Sequence, residues 1–174
     1  MFEIQDRHRL AKSELYASLV AQAGGLFAGE RDAIANAANL AALIYHGLPD
    51  LNWAGFYLLK DGELVLGPFQ GKPACIRIAL GRGVCGAAAA TRRTQLVADV
   101  HEFPGHIACD AASNSEIVVP LLAGERLIGV LDLDSPQRAR FDVEDQAGLE
   151  QLASLWLQAC DFPSECGSDH QRAR

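Results

Sequence analysis

The sequence predicts an α+β domain, an antiparallel sheet packed with helices from both chain ends. Three observations lead to this prediction. Apolar residues recur at helical spacing near each end of the chain, the middle alternates in short strand-like runs, and successive runs are joined by hairpin turn signals. Because a hairpin pairs antiparallel strands, the sheet is expected to be antiparallel and not assembled from parallel crossover units.

The predicted helices flank the sheet. They cover residues 10–23, residues 32–46 and a last segment that starts at Asp142. Gly24 and Gly25 are expected to end the first helix. Asp142 and Asp145 have the three-residue spacing of a capping box, which favours a helix start at this point.

The strands lie between these helices. They are predicted at residues 53–59, 63–66, 75–80, 94–98, 116–122 and 127–134. The pairs Asp61-Gly62 and Gly124-Glu125 are the two hairpin turns. A short alanine-rich helix is expected after residues 81–86, and residues 100–114 have no period and read as a long loop, a feature that is often functional.

Length and composition limit the domain organisation and the classes of partner that are possible. The chain has 174 residues with 49% hydrophobic and 21% charged residues, enough for one domain with a buried core. We expect a domain at 10–160 and a polar, disordered tail at 161–174. A net charge of -7 argues against nucleic acid as a partner. No membrane span or signal peptide is recognisable, so a cytoplasmic protein without a membrane partner is expected.

A glycine motif follows the third predicted strand. Residues 81–86 spell G-x-G-x-x-G, and Asp99 follows 18 residues after Gly81, as in dinucleotide-binding folds. A helix of about eight residues is too short for the crossover of a parallel unit. We therefore interpret the glycines as shaping a tight turn that exposes Cys85.

Five cysteines are the unusual feature of the composition. An odd number in a reducing compartment argues against a structural disulfide framework. Cys109 lies in the aperiodic loop among small residues, and with two further cysteines it suits thiol–disulfide exchange. Three unrelated thiols, or a zinc site completed by His101 or His106, are the alternatives. The cysteines are Cys75, Cys85, Cys109, Cys160 and Cys166.

Three carboxylates can converge at the second hairpin. Asp132 and Asp134 alternate along a strand and so share a face. Glu116 on the partner strand falls opposite Leu133, or opposite Asp132 if the hairpin carries a bulge, and only the second register brings all three to one face. Converging carboxylates need a cation among them, either a metal ion or an ammonium group. Solvated charges at the strand ends are the alternative.

Two aromatic residues share a face of the first strand. Trp53 and Tyr57 are four residues apart, so their side chains point the same way. Core packing is the usual reason for such a pair, and a pocket wall is the alternative.

Six separated motifs resemble those of the free methionine-(R)-sulfoxide reductases, a family built on the GAF domain. The resemblance extends over residues 10–157 and keeps the motifs in order. They are residues 52–57 (NWAGFY), 67–75 (GPFQGKPAC), 81–86 (GRGVCG), 105–110 (GHIACD), 115–120 (SEIVVP) and 127–135 (LIGVLDLDS).

The resemblance implies a role for each thiol. Cys109 matches the nucleophile that attacks the sulfoxide and becomes a sulfenic acid, and Cys75 matches the cysteine that resolves it as an intramolecular disulfide. Cys85 matches a third redox cysteine. Thioredoxin is the implied reductant, no cofactor or metal is implied, and a homodimer is expected.

The resemblance also implies the substrate contacts. Glu116, Asp132 and Asp134 match the carboxylates that hold the ammonium group of free L-methionine (R)-sulfoxide, and Trp53 and Tyr57 match the aromatic residues around its sulfoxide end.

Two departures lie outside these groups. Ala79 stands where a proline is expected, and Arg92-Arg93 is more basic than usual. A non-catalytic GAF sensor of a small ligand is the alternative function. A protein that binds metal through Cys75, Cys85 and Cys109 is the third.

Overall fold

The computed structural model describes residues 11–105 and 111–162. Within them the chain forms four α-helices, one 3-10 helix and six strands. The helices are α1 (Lys12–Phe27), α2 (Ala33–Gly47), α3 (Gly83–Thr91) and α4 (Val143–Ala159), with the 3-10 helix at Val100–Glu102. The strands are β1 (Trp53–Lys60), β2 (Glu63–Gly71), β3 (Arg77–Ala79), β4 (Gln95–Val97), β5 (Ser115–Ala123) and β6 (Arg126–Ser135).

The strands form one antiparallel sheet in the order β3-β2-β1-β6-β5-β4. The first and the last strand in the chain lie side by side at the centre of the sheet, because β1 pairs with β6. The predicted α+β class and the antiparallel sheet are confirmed, and no parallel pair exists among the described strands. The dinucleotide interpretation fails for the same reason, and Asp99 instead caps the 3-10 helix and forms an ion pair with Arg138.

Alternation along the strands divides the core between the two faces of the sheet. Helices α1, α2 and α4 cover one face, where Phe56, Leu131 and Trp156 are fully buried. The short helix α3 packs on the other face, against Tyr57 and Val130. Side chains at 53, 57, 116, 118, 130 and 132 therefore point away from the three long helices.

One helix end was predicted wrongly. Gly24 and Gly25 do not end α1, which continues to Phe27. Phe27 is buried in the main core, so its packing outweighs the weak helix propensity of the two glycines. Capping by Asp142 is confirmed, since its side chain accepts hydrogen bonds from the backbone N–H groups of Glu144 and Asp145.

None of the helices in residues 11–105 and 111–162 combines the length and apolar character that a membrane span requires.

Candidate active site

Three acidic side chains meet on the sheet face that carries α3. Glu116 on β5 pairs with Asp134 on β6, and Asp134 pairs in turn with Trp53 on β1. Asp132 is two residues from Asp134 and pairs with Gly55, so its side chain points to the same face. The carboxylates therefore converge where β5, β6 and β1 run side by side.

The register at Glu116 differs from both predicted ones. A bulge lies between Leu121 and Leu122, because Ile128 is an extra residue on β6 between their partners. This moves the partner of Glu116 to Asp134, a shift in the opposite direction from the predicted one. The predicted shared face nevertheless exists, since residues 132 and 134 point the same way.

Burial sets the protonation of this cluster. Glu116 and Asp132 are each only 6% exposed. Loss of hydration raises the pKa of Asp132 to about 7. Loss of hydration, together with repulsion from Asp132 and Asp134, raises the pKa of Glu116 well above its usual range. The cluster therefore retains a proton at neutral pH, and a cation placed among the carboxylates would displace it.

Cys85 lies against the same carboxylates. It is the third residue of α3, and its side chain is turned toward the sheet and is 4% exposed. Its Sγ lies 3.9 Å from Oε1 of Glu116. Burial and the charges of Asp132 and Glu116 raise the pKa of the thiol well above its usual range. The predicted turn exists, since the N–H of Gly81 donates to the carbonyl of Gly86, but Cys85 is not exposed by it.

Stacked aromatic rings form one wall of the site. The ring of Trp53 stacks on Tyr57 at 5.9 Å and on Phe69 at 5.3 Å between centroids. The indole N–H of Trp53 donates to the carbonyl of Lys72, and the hydroxyl of Tyr57 donates to the carbonyl of Cys75, both at 3.1 Å. The two residues therefore also hold the segment that carries Cys75.

Gly55 allows this wall to close over the acidic row. A Cβ atom at this position would lie 2.3 Å from Cβ of Phe69 and 2.7 Å from the ring of Trp53. Its cross-strand partner is Asp132. The absence of a side chain at Gly55 thus lets the indole lie beside the carboxylates.

A cleft opens between these groups and the N-terminal turn of α3. Its lining unites most of the predicted residues. It consists of Trp53, Tyr57, Lys72, Pro73, Ala74, Ile78, Arg82, Gly83, Val84, Cys85, Ser113, Glu116, Asp132 and Asp134. Lys72, Arg82 and Ser113 were not predicted as site residues, although Lys72 and Arg82 belong to the motifs GPFQGKPAC and GRGVCG.

Unlike Cys85, the other cysteines within the described residues do not line the cleft. Cys75 is half-buried and follows Ala74, which lines the cleft. Cys109 lies outside the described residues. The loop returns to the site at Ser113, whose hydroxyl accepts a hydrogen bond from the side chain of Asn52. Cys160 is far from the cleft, buried at the end of α4 beside Asn36.

Comparisons with known proteins identify the family of this chain. Residues 35–159 match the GAF domain family. A free methionine-R-sulfoxide reductase of Escherichia coli (strain K12) is 58% identical over 143 residues, which are 82% of this chain and 87% of the relative. The chain belongs to the GAF-domain family of free methionine-R-sulfoxide reductases.

Two solved structures of this reductase family contain substrate. The fRMsr of Staphylococcus aureus, in complex with substrate, is 51% identical with a TM-score of 0.80, over 83% of this chain and 94% of that chain. The free methionine-R-sulfoxide reductase from Neisseria meningitidis, in complex with its substrate, is 43% identical with a TM-score of 0.85, over 91% of this chain and 94% of that chain.

Proposed function

We propose that this protein reduces free L-methionine (R)-sulfoxide to L-methionine. The observation that carries the proposal is the row of Glu116, Asp132 and Asp134 beneath an aromatic wall, in a cleft that also contains Cys85. The names of the E. coli and N. meningitidis relatives support the same substrate.

The carboxylate row is suited to an ammonium group. Two of its members are buried, and loss of hydration together with repulsion from Asp132 and Asp134 raises the pKa of Glu116. An ammonium group would relieve that repulsion and displace the retained proton. A methionine sulfoxide inside a peptide has no ammonium group, so its binding would bring no cation to these buried carboxylates. We assign the substrate carboxylate to Lys72 and Arg82, which line the same cleft.

Trp53 and Tyr57 are assigned to the other end of the substrate. Their stacked rings offer an apolar surface for the methyl group beside the sulfoxide sulfur. Because the N–H of Trp53 and the hydroxyl of Tyr57 already donate to backbone carbonyls, the rings are fixed in place. They would therefore orient the sulfoxide without reorganising.

Cysteine chemistry completes the proposed reaction. The thiol of Cys109 attacks the sulfoxide sulfur, the oxygen passes to the cysteine as a sulfenic acid, and methionine leaves. The thiol of Cys75 then condenses with the sulfenic acid, which forms a disulfide and releases water. The dithiol of thioredoxin reduces that disulfide and becomes oxidised itself. Cys85 would act in this relay only after leaving its buried position. We expect the protein to be a homodimer in the cytoplasm.

A single-turnover assay tests this proposal. The reduced protein, without added reductant, is mixed with the R or the S diastereomer of free methionine sulfoxide, and released methionine is quantified. We expect close to one equivalent of methionine from the R form and little from the S form. Cys109→Ser should release none, whereas Cys75→Ser should still release one equivalent and then stop.

Two outcomes would contradict the proposal. Equal release from both diastereomers would remove the stereochemical assignment. Tight binding of the R form without any methionine release would favour the alternative function, a GAF sensor of a small ligand. Cys160→Ser is the matched control, because it removes a thiol that lies far from the cleft.

A further inference from the structure

One group of potential metal ligands stands out within the described residues. Sγ of Cys85, a carboxylate oxygen of Glu116 and a carboxylate oxygen of Asp132 all lie within 4.8 Å of one another, and all three residues are buried. Sγ of Cys85 and Oε1 of Glu116 are 3.9 Å apart. Two ligands of one tetrahedral zinc ion, with bonds of about 2.0 to 2.3 Å, lie roughly 3.5 Å apart. The pair of Cys85 and Glu116 is close to that spacing, and the other pairs, which lie within 4.8 Å, would move closer together on binding.

A second observation indicates that this position takes a ligand. Oδ1 of Asp132 is buried and has no hydrogen-bond partner among the described residues. A buried carboxylate oxygen without a partner carries a desolvation penalty that a bound cation would offset. Asp132 is one of the residues that line the cleft, so an ion that enters the cleft can approach this carboxylate.

We propose that Cys85, Glu116 and Asp132 form a binding site for a divalent cation of borderline softness, for which Zn²⁺ is the probe. One thiolate and two carboxylates match the ligand preferences of Zn²⁺ and disfavour Mg²⁺ and Ca²⁺, which take oxygen ligands. Three protein ligands leave one position open for water. The ligand set differs from the three-cysteine set considered from sequence, because Cys75 is not part of the cluster.

The ion and the amino acid should exclude each other. This step rests on the proposed function, which assigns Glu116 and Asp132 to the substrate ammonium group. Both cations would occupy the same two carboxylates, so Zn²⁺ is expected to act as a competitive inhibitor. The cleft would therefore be closed to the amino acid whenever the ion is present and the thiols are reduced.

Cobalt provides a spectroscopic test. The full-length, reduced, metal-free protein is titrated with Co²⁺, and the thiolate-to-cobalt charge-transfer absorption is followed. Zn²⁺ affinity is measured by competition with a chromogenic chelator. We expect one equivalent of either ion. Cys85→Ser should abolish the absorption, and Asp132→Asn should weaken Zn²⁺ binding by at least the 10- to 100-fold that is typical when even an outer-shell partner is lost.

Controls identify the ligand set. Cys160→Ser and Asp134→Asn should keep the cobalt absorption, because neither residue is one of the three proposed ligands. Absorption that survives in Cys85→Ser, or that disappears in Cys75→Ser, would overturn the proposed ligand set. Failure of both ions to bind would overturn the site itself.

Competition with substrate separates this proposal from the proposed function. In Cys109→Ser, where turnover is not expected, free L-methionine (R)-sulfoxide should lower the apparent Co²⁺ affinity in proportion to its concentration. Unchanged affinity would overturn the mutual exclusion. If the unmodified protein releases methionine but binds no ion, the metal site fails and the reductase stands. If it binds the ion but releases no methionine, the proposed reductase function fails and the metal site stands.

Discussion

Asp132 is the residue at which ligand binding and stability oppose each other. It is almost fully buried, and one of its carboxylate oxygens has no hydrogen-bond partner in the described part of the chain. Such a group lowers the stability of the empty protein when it is ionised. A cationic ligand would offset that penalty, which gives a physical reason for a stable fold to contain this carboxylate.

The stability of the empty protein should therefore depend on pH at this residue. The pKa of Asp132 is about 7 in the folded state and 3.8 as the ordinary value, so the folded state binds more protons between these limits. Stability falls as pH rises through that window. Asp132→Asn cannot ionise, and it should be more stable than the parent at pH 8 by roughly 2 to 4 kcal/mol, at about 1.4 kcal/mol per pKa unit.

Urea unfolding at several pH values measures this difference. It should shrink toward zero as the pH falls below about 4, where the carboxyl group becomes protonated in both states. Glu125→Gln removes an exposed carboxylate in the β5–β6 turn and serves as the control. Curves for Asp132→Asn and the parent that stay parallel from pH 4 to pH 8 would contradict the burial argument.

At the residue scale, the sequence predicted which charged side chains share a face, but it did not predict which side chains from different strands come into contact. The alternation of Asp132 and Asp134 along one strand was sufficient to place them on a common face. The stacking of Phe69 on Trp53 joins two strands, and the position of Lys72 depends on how β2 ends. Neither contact leaves a periodic signal in one strand, so neither was predicted.

At the scale of elements, a network of buried hydrogen bonds and ion pairs holds the start of α4. Asp145 is fully buried and accepts hydrogen bonds from the hydroxyl of Tyr16 at 2.9 Å and from Nζ of Lys12 at 2.5 Å. Nη1 of Arg140 donates to both of its oxygens at 3.2 Å. Arg140 also donates to the carbonyl of Pro49. The carboxylate of Asp145 thus joins the start of α4 to α1. Through Arg140 it also joins the connection between α2 and β1.

Removing that carboxylate should destabilise the fold without affecting the cleft. Asp145→Asn leaves the buried guanidinium of Arg140 without its charged partner, and removal of one member of a buried ion pair costs roughly 3 to 5 kcal/mol. Urea unfolding measures the loss. The kcat/KM for free L-methionine (R)-sulfoxide should remain near the parent value under conditions where the variant is folded, because α4 covers the other face of the sheet.

Asp161→Asn is the control for this experiment. It breaks an exposed ion pair with Arg31, so it should change stability far less than Asp145→Asn. Equal losses in the two variants would show that the buried network is no stronger than a surface pair.

Element boundaries were predicted where a local signal exists. The capping box at Asp142 involves neighbouring residues, and it was recognised. The role of Asp145 in binding Tyr16 and Lys12 was not, since these residues are more than 120 positions away in sequence. The bulge at Ile128 moved the register of β5 by an amount that turn length alone does not determine.

At the scale of the whole molecule, the sheet separates the main hydrophobic core from the candidate site. The three long helices bury one face, and the other face carries α3, the aromatic wall and the acidic row. Cross-strand pairing places Trp53, Asp134 and Glu116 in one line across β1, β6 and β5. Three acidic residues, Glu116, Asp132 and Asp134, thereby lie together in the cleft.

The proposed function predicts from this arrangement that a substrate needs a free α-ammonium group. The most direct measurement compares kcat/KM for free L-methionine (R)-sulfoxide with that for its N-acetyl derivative, which keeps the sulfoxide and the carboxylate but has no positive charge. We predict that acetylation lowers kcat/KM by on the order of 100-fold or more, as expected when buried polar groups lose their partner. Asp134→Asn should reduce the difference in kcat/KM between the two compounds, because it lowers kcat/KM only for the free amino acid. Equal kcat/KM values for the two compounds in the parent protein would contradict the account.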